Sequence, residues 1–213
     1  MQPTRRTAIV ATTATALSAL VVTNPARAEG SSAPSVAHWV NTWTAMPQLT
    51  EPGNLPPAPF TGTASVLVDT TLRQTLRVTT GGRKLRLRFS NAYGDTPLPL
   101  TAVTLALPQD GKAGASAIVP GSSRPVTFAG RGSATVPVGA QLVSDPLDLD
   151  LRPATVLTVT TYLATGQPSL ALTSHPGSRT TSYLRNGDHT EDLDLLPGAT
   201  PVEIGRASCR ERV

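Results

Sequence analysis

Cysteine is almost missing from this chain of 213 residues: Cys209 is the only one. A single thiol closes no internal disulfide, so the fold has to rest on core burial. Aromatic residues are scarce at 4%, so each Trp or Tyr is as reasonably a core anchor as a binding platform. Net charge is absent where it matters. The chain carries +4 overall with 18 basic and 14 acidic residues, and its pI of 9.8 suggests a polyanionic partner. Yet Arg5, Arg6, Arg27, Arg206, Arg210 and Arg212 lie in the two ends, as do Glu203 and Glu211, leaving 12 basic and 12 acidic residues in 29–202. A neutral middle removes the main support for a nucleic-acid partner. A helical period is also lacking outside the first residues, which excludes helix-built folds.

The ends read as processing segments. Arg5-Arg6 precede the apolar run Ala8 to Val22, and Ala26-Arg27-Ala28 is an A-x-A cleavage site. Residues 1–28 are therefore expected to be a secretory signal peptide, exported by the Sec or the twin-arginine route. The run is too short and too rich in Thr to favour spanning about 30 Å of hydrocarbon, so no stable membrane insertion is expected after cleavage. Residues 29–36 form a Ser/Ala/Pro leader with the composition of a disordered segment. At the other end, 203–213 has no strand or helix period and resembles the in-frame translation of a sequencing-adapter oligonucleotide; the alternative is a native basic tail. The segment 29–202 is long enough for one domain with a sizeable core.

Between the ends, short β-prone runs alternate with Gly, Pro and Ser turns. A first strand is expected over His38–Thr44, followed by a crossing loop over Ala45–Thr61 with five prolines, which no regular element tolerates. Thr70–Ser90 reads as a hairpin. Leu72, Leu76 and Val78 alternate with Arg73, Thr75 and Arg77; after Gly81-Gly82, Leu85, Leu87 and Phe89 alternate with Lys84, Arg86 and Arg88. This places Leu76, Leu87 and Phe89 in the core and gathers Arg73, Arg77, Arg86 and Arg88 on one face. Leu98–Leu107 is a further strand. Short strands follow around Ala117–Val119, Val126–Phe128, Ala134–Val136, Gln141–Ser144, Val156–Tyr162 and Thr180–Leu184. The pattern implies an all-β fold, an antiparallel β-sandwich or jelly-roll over 37–185, with 186–202 as a linker.

Chemistry-bearing clusters are thin. Asp148 and Asp150 share a face of Asp145–Leu151. They suit either a hard cation or cross-strand pairing with the basic stripe of the hairpin, and no Ca²⁺ loop motif accompanies them. His38, His175 and His189 lie far apart, without metal-ligand spacing. Neither a Gly-Asp-Ser turn nor a Gly-x-Ser-x-Gly elbow occurs, so the serine–base–oxyanion arrangement of ester hydrolysis is missing. Asn186-Gly187-Asp188-His189 superficially resembles parts of such a site. The expected catalytic, cofactor and metal residues are none.

Several motifs nevertheless fall in one order. They are Trp39-Val40-Asn41-Thr42-Trp43 with Met46-Pro47, the Thr70–Gly94 stretch ending Ser-Asn-Ala-Tyr-Gly, Gly121–Gly130, Val138–Pro146, and His175-Pro176 with Thr181-Ser182-Tyr183. Together they resemble the β-rich N-terminal region of secreted, actinobacterial-type SGNH/GDSL hydrolases. The resemblance implies a serine esterase acting on carbohydrate or lipid esters, with no metal or organic cofactor. It also implies that the catalytic blocks lie in a C-terminal domain of the same polypeptide, beyond this segment. Asn91 then belongs to a structural loop, where it and Gly94 are expected to tolerate positive φ and to make local turn bonds. Residues expected to contact a domain or substrate are Trp39, Trp43, Asn91, Tyr93, His175 and Tyr183. The rival expectation is a free-standing carbohydrate-binding β-sandwich that stacks Trp39, Trp43, Tyr93 and Tyr183 on sugar rings. A purely structural surface domain is the third class.

Overall fold

A computed structural model describes residues 38–175 and 178–203; the expected signal peptide and leader, and residues 204–213 of the tail, lie outside them. The chain divides after Trp39 into two units. Of the first, only His38 and Trp39 are described; both are exposed and in no strand.

The second unit is all-β, as expected. Strands make up 41% of the structure and no helix reaches seven residues. In chain order the strands are β1 (Gln48–Leu49), β2 (Thr70–Arg77), β3 (Gly82–Leu85), β4 (Arg88–Ser90), β5 (Leu98–Leu100), β6 (Ala102–Ala106) and β7 (Arg124–Pro125). There follow β8 (Ala134–Val136), β9 (Gln141–Val143), β10 (Leu147–Leu151), β11 (Val156–Leu163), β12 (Thr173–Ser174), β13 (Thr181–Asn186) and β14 (Thr200–Glu203). A six-stranded antiparallel sheet runs β14-β13-β2-β11-β6-β7, and four two-strand ladders pair β1 with β12, β3 with β10, β4 with β9, and β5 with β8. β11 sits at the centre because Val156–Leu163 is the longest β-branched run, and it pairs along its length with β2.

Register decides the two faces of the main sheet, because directly opposed residues point the same way. Leu76 opposes Leu157, Leu72 opposes Leu184, and Leu105 opposes Val159. This apolar face joins one hydrophobic cluster with Leu85, Leu87, Leu100, Val136 and Leu151 of the ladders, which is the sandwich core. On the other face Thr160 lies between Arg73 and Thr104, and Tyr183 opposes Arg73. That face is polar, and two loops, 107–119 and 187–196, cover it. Ile118 N donates to Leu193 O at 2.8 Å, tying the two loops together.

Several expectations are corrected. Thr70–Ser90 is not a hairpin: β2 pairs with β11 and β13, while β3 pairs with β10. Alternation fixes which side chains share a face but not which strand lies alongside. At Gly81 the chain leaves the main sheet so close to β10 that an added Cβ would lie 2.3 Å from Leu151 O. The four-arginine face therefore does not exist. Arg73 is fully buried in the main sheet, whereas Arg86 and Arg88 are exposed on the ladder side. Leu87 is buried as expected, while Leu76 and Phe89 only pack against the core from its margin. Phe89 meets Phe128 edge-to-face at 5.8 Å.

His38–Thr44 forms no strand; Thr42 instead pins the chain to Thr79 and Thr80 through its hydroxyl and carbonyl. Leu98–Leu107 splits at Thr101, because β5 pairs with β8 and β6 with β11. Ala117–Val119 makes only isolated bridges, and the strand expected at Val126–Phe128 is displaced to Arg124–Pro125. Residues 186–202 are no linker: Leu195 is fully buried and β14 extends the sheet beside β13. Asp148 pairs across the ladder with Lys84 at 3.4 Å, which realises the cross-strand alternative with a different partner. Among the described residues no group of acidic, His or Cys side chains is placed to hold a metal ion.

Candidate functional site

The Ser90–Gly94 loop is organised by one side chain. Asn91 is 1% exposed. Its Nδ2 donates to Thr96 O at 2.8 Å and Val136 O at 3.2 Å, with Pro137 O at 3.4 Å. Its backbone N donates to Ala140 O, and its carbonyl accepts from Gly94 and Gly139. Two loops are thus fastened to each other through a single residue, whose Nδ2, backbone N and backbone carbonyl would be costly to bury unpaired. The expected turn bonds are present, but the reason for Gly94 differs. Neither Asn91 nor Gly94 has positive φ; instead an added Cβ at Gly94 would lie 1.8 Å from Asn91 Oδ1. Close approach, rather than dihedral freedom, requires glycine there.

This scaffold holds Tyr93 half-exposed at the surface. Tyr93 N donates to Thr173 Oγ1 at 2.9 Å, which fixes the loop to β12. β12 in turn pairs with β1, Leu49 opposing Thr173, and Thr50 N donates to Leu172 O. The ribbon carries exposed apolar side chains: Met46 at 73%, Leu49 at 51% and Leu170 at 41%. His175 Nδ1 faces Met46 O at 3.4 Å. Trp43, three residues before Met46, is also half-exposed. An uncharged run of Met, Leu and Tyr held on a hydrogen-bonded frame suits contact with another surface. Sequence reasoning missed Met46 and Leu49 because they lie in the proline-rich stretch, where a two-residue strand leaves no period.

The other expected residues go elsewhere. Tyr183 sits on the polar face of the main sheet, and its hydroxyl donates to Gly114 O at 2.9 Å. Asn91 is interior, and Trp39 belongs to the first unit. Of the six, the structure brings Tyr93 and His175 to one ribbon, with Trp43 on the irregular segment leading into it.

The histidine of the Asn186–His189 turn does meet a carboxylate. His189 Nδ1 is 2.8 Å from Asp192 Oδ2, but Nε2 faces Asn186 O at 2.9 Å. A general base in an ester hydrolase needs that second nitrogen against a nucleophile hydroxyl; here a backbone carbonyl occupies the place. Arg185 Nη1 reaches the same Asp192 oxygen at 3.2 Å, so the group fastens the 187–196 loop.

Arg73 is the polar residue that the sequence concealed most completely. Nε donates to Thr160 Oγ1 at 2.9 Å, Nη1 to Ser116 O at 2.6 Å and Nη2 to Asp192 O at 2.7 Å. Desolvation pulls its pKa below the ordinary arginine value, opposed by the nearby charges of Asp192 and Asp194. The guanidinium clamps both covering loops onto the sheet. On the ladder side, Asp145 accepts from Gly130 N, Thr127 Oγ1 and Ala129 N. These bonds, led by the Gly130 amide, hold its carboxyl below the usual carboxylate value, with the charge of Arg86 adding to them.

Compared with known proteins, the chain matches no family model and no curated protein. No helix among the described residues is long and apolar enough to cross a membrane.

Proposed function

We propose that this is the N-terminal accessory β-domain of a secreted SGNH/GDSL-type serine esterase acting on carbohydrate or lipid esters, with the catalytic domain in polypeptide beyond this segment. The ribbon bearing Tyr93 is its docking face. The observation that carries the reading is the exposed, uncharged group Tyr93, Met46, Leu49 and Leu170 on a frame fixed by Asn91. Protein interface cores are depleted in charge and enriched in Tyr and Met. The order of motifs supports the parent family, and the occupied Nε2 of His189 supports placing the chemistry elsewhere.

The chain alone is expected to leave nitrophenyl acetate unhydrolysed above buffer background. Turnover abolished by a serine-directed inhibitor overturns the reading. In the gene, a Gly-Asp-Ser codon block downstream of residue 203 is expected; an open reading frame that closes without one refutes the parent assignment. In the longer protein, Tyr93→Ala with Met46→Ser should loosen the two domains, read as separate thermal transitions.

The second reading is a free-standing carbohydrate-binding sandwich, favoured by the half-exposed Tyr93 ring, which offers a stacking face. A tryptophan fluorescence shift on adding neutral polysaccharide, lost in Tyr93→Ala, would establish it in place of the first.

A further inference from the structure

Apart from the Tyr93 ribbon, an open groove of about 440 Å³ runs beside the β5–β8 ladder. That is within the roughly 300–1,000 Å³ of small-ligand sites. Its polar lining is one cation and four hydroxyls: Arg131, Thr101, Ser133, Thr135 and Thr165, with Pro99 as an apolar wall. No carboxylate and no aromatic ring lines it.

The backbone sets this lining firmly. Phe128 N donates to Arg131 O and Arg131 N to Phe128 O, closing a two-residue turn with Ala129 at φ 49° and Gly130 at φ 76°. Both central residues in the left-handed region make the turn that matches strand twist. Asp145 grips the same turn through Ala129 N and Gly130 N, yet Arg131 makes no ion pair with it or with Lys84–Asp148, Lys112–Asp110 or the Arg185–Asp192–His189 group. In β5 and β8, Pro99 opposes Thr135 on the groove side, Leu100 and Ala134 complete the lining, and Val136 is buried behind. Thr101 Oγ1 accepts from Ala164 N at 3.0 Å and keeps its proton to donate. The Arg131 guanidinium and the hydroxyls of Ser133, Thr135 and Thr165 have no partner among the described residues.

We propose that this groove binds a carboxylate-bearing sugar, a hexuronate unit. The guanidinium takes the carboxylate through paired N–H···O bonds, and the ring of hydroxyls exchanges donors and acceptors with the sugar hydroxyls. A neutral sugar lacks the group that Arg131 addresses and has no aromatic face to stack on. A simple carboxylate lacks the hydroxyls. The site stands whichever of the two functional readings holds, since it shares no residue with the Tyr93 ribbon.

The test titrates the mature chain with trigalacturonate, galacturonate, neutral galactotriose and acetate, following backbone amide shifts by NMR. Trigalacturonate or galacturonate is expected to shift Thr101, Arg131, Ser133, Thr135 and Thr165, while galactotriose leaves them in place and acetate binds more weakly. If only the trimer binds, the ligand is a polymer segment; if the monosaccharide binds equally well, it is the single unit. Arg131→Gln should weaken uronate binding more than ~10-fold, the loss of a charge-assisted pair, with its thermal midpoint unchanged because the side chain is exposed. Thr135→Val should weaken uronate but not acetate. Absence of uronate binding at millimolar concentration, equal binding of galactotriose, equal binding of acetate, or indifference to Arg131→Gln each overturns the proposal. Tyr93→Ala should not affect this titration, so failure here is separable from failure of the docking reading.

Discussion

The two faces of the main sheet are held by different physics. One face carries Leu72, Leu76, Leu157, Leu105 and Leu184 onto a continuous apolar core. Its strength comes from area removed from water and from close packing, and it does not depend on any one bond. The other face carries Thr71, Arg73, Thr104, Thr160 and Tyr183, and is covered by loops rather than by a second sheet. There each buried polar atom needs a partner, and three of the partners converge on one guanidinium. The apolar face therefore tolerates change gradually, whereas the polar face concentrates its dependence on Arg73.

The largest expected effect tests that contrast directly. Arg73→Met should destabilise by about 2–4 kcal/mol, because the part-buried Ser116 O and Asp192 O and the Thr160 hydroxyl lose a charged donor together. Hydrogen exchange at the Ile118 and Leu195 amides, which bridge the two loops, should quicken before global unfolding. Leu157→Ala, on the apolar face, should cost about 2–5 kcal/mol and lower protection throughout the sheet without selecting those loops. If Arg73→Met left loop protection intact, the clamp would not exist.

Asn91 repeats the device at smaller scale, with one buried amide joining the 90–96 and 136–140 loops. Gly94→Ala should cost about 1–3 kcal/mol through overpacking against Asn91 Oδ1. It should also shift the amide resonances of Tyr93 and Thr173, which lie downstream of that contact. A variant as stable as the parent, with those resonances unmoved, would mean the loop yields without loss.

What was legible in the sequence follows the same division. Runs whose fate is set by local chemistry were read correctly: β8 coincides with its expected bounds, β11 extends its run by one leucine, and the alternation of Leu85, Leu87 and Phe89 with Lys84, Arg86 and Arg88 matches their burial. The Asn91 turn was legible because Asn and Gly form short-range bonds. Pairing was not legible, since period-2 alternation in β2 and β3 carries no information about β10 or β13. That Arg73 alone of the four arginines is buried was not legible, because its burial depends on carbonyls 43 and 119 residues away. In the candidate site, Tyr93 and His175 could be named in advance, but Met46 and Leu49 could not. The hydroxyls of the Arg131 groove come from separate strands and have no sequence signature.

A smaller effect sharpens the account of the polar face. Thr158 is buried there and its Oγ1 has no hydrogen-bond partner. An unpaired buried hydroxyl is a loss relative to an isosteric methyl, so Thr158→Val should leave stability unchanged or raise it by up to about 1 kcal/mol in chemical denaturation. A clear loss would mean that the hydroxyl has a partner in solution and that the face is more fully bonded than its protein contacts indicate.

The smallest effect concerns pH and belongs to the ladder side. Asp145 has its folded-state pKa lowered, first by the Gly130 amide and next by the Thr127 hydroxyl. The unfolded chain then takes up this proton more readily than the folded one. The resulting stabilisation is present above the ordinary value of 3.8 and is lost as pH falls below it, through the folded value. Asp145→Asn removes the titration and weakens the acceptance of the two turn amides. The difference in stability between parent and variant should therefore be constant around neutral pH and shrink as pH falls below that value. Because the carboxylate is solvent-exposed, salt should reduce the Arg86 part of the effect and leave the amide bonds largely intact. A difference that grew on acidification would place the proton on the wrong side of the folding equilibrium. It would show that the Ala129–Gly130 turn, and with it the position of Arg131, is held by something other than this carboxylate.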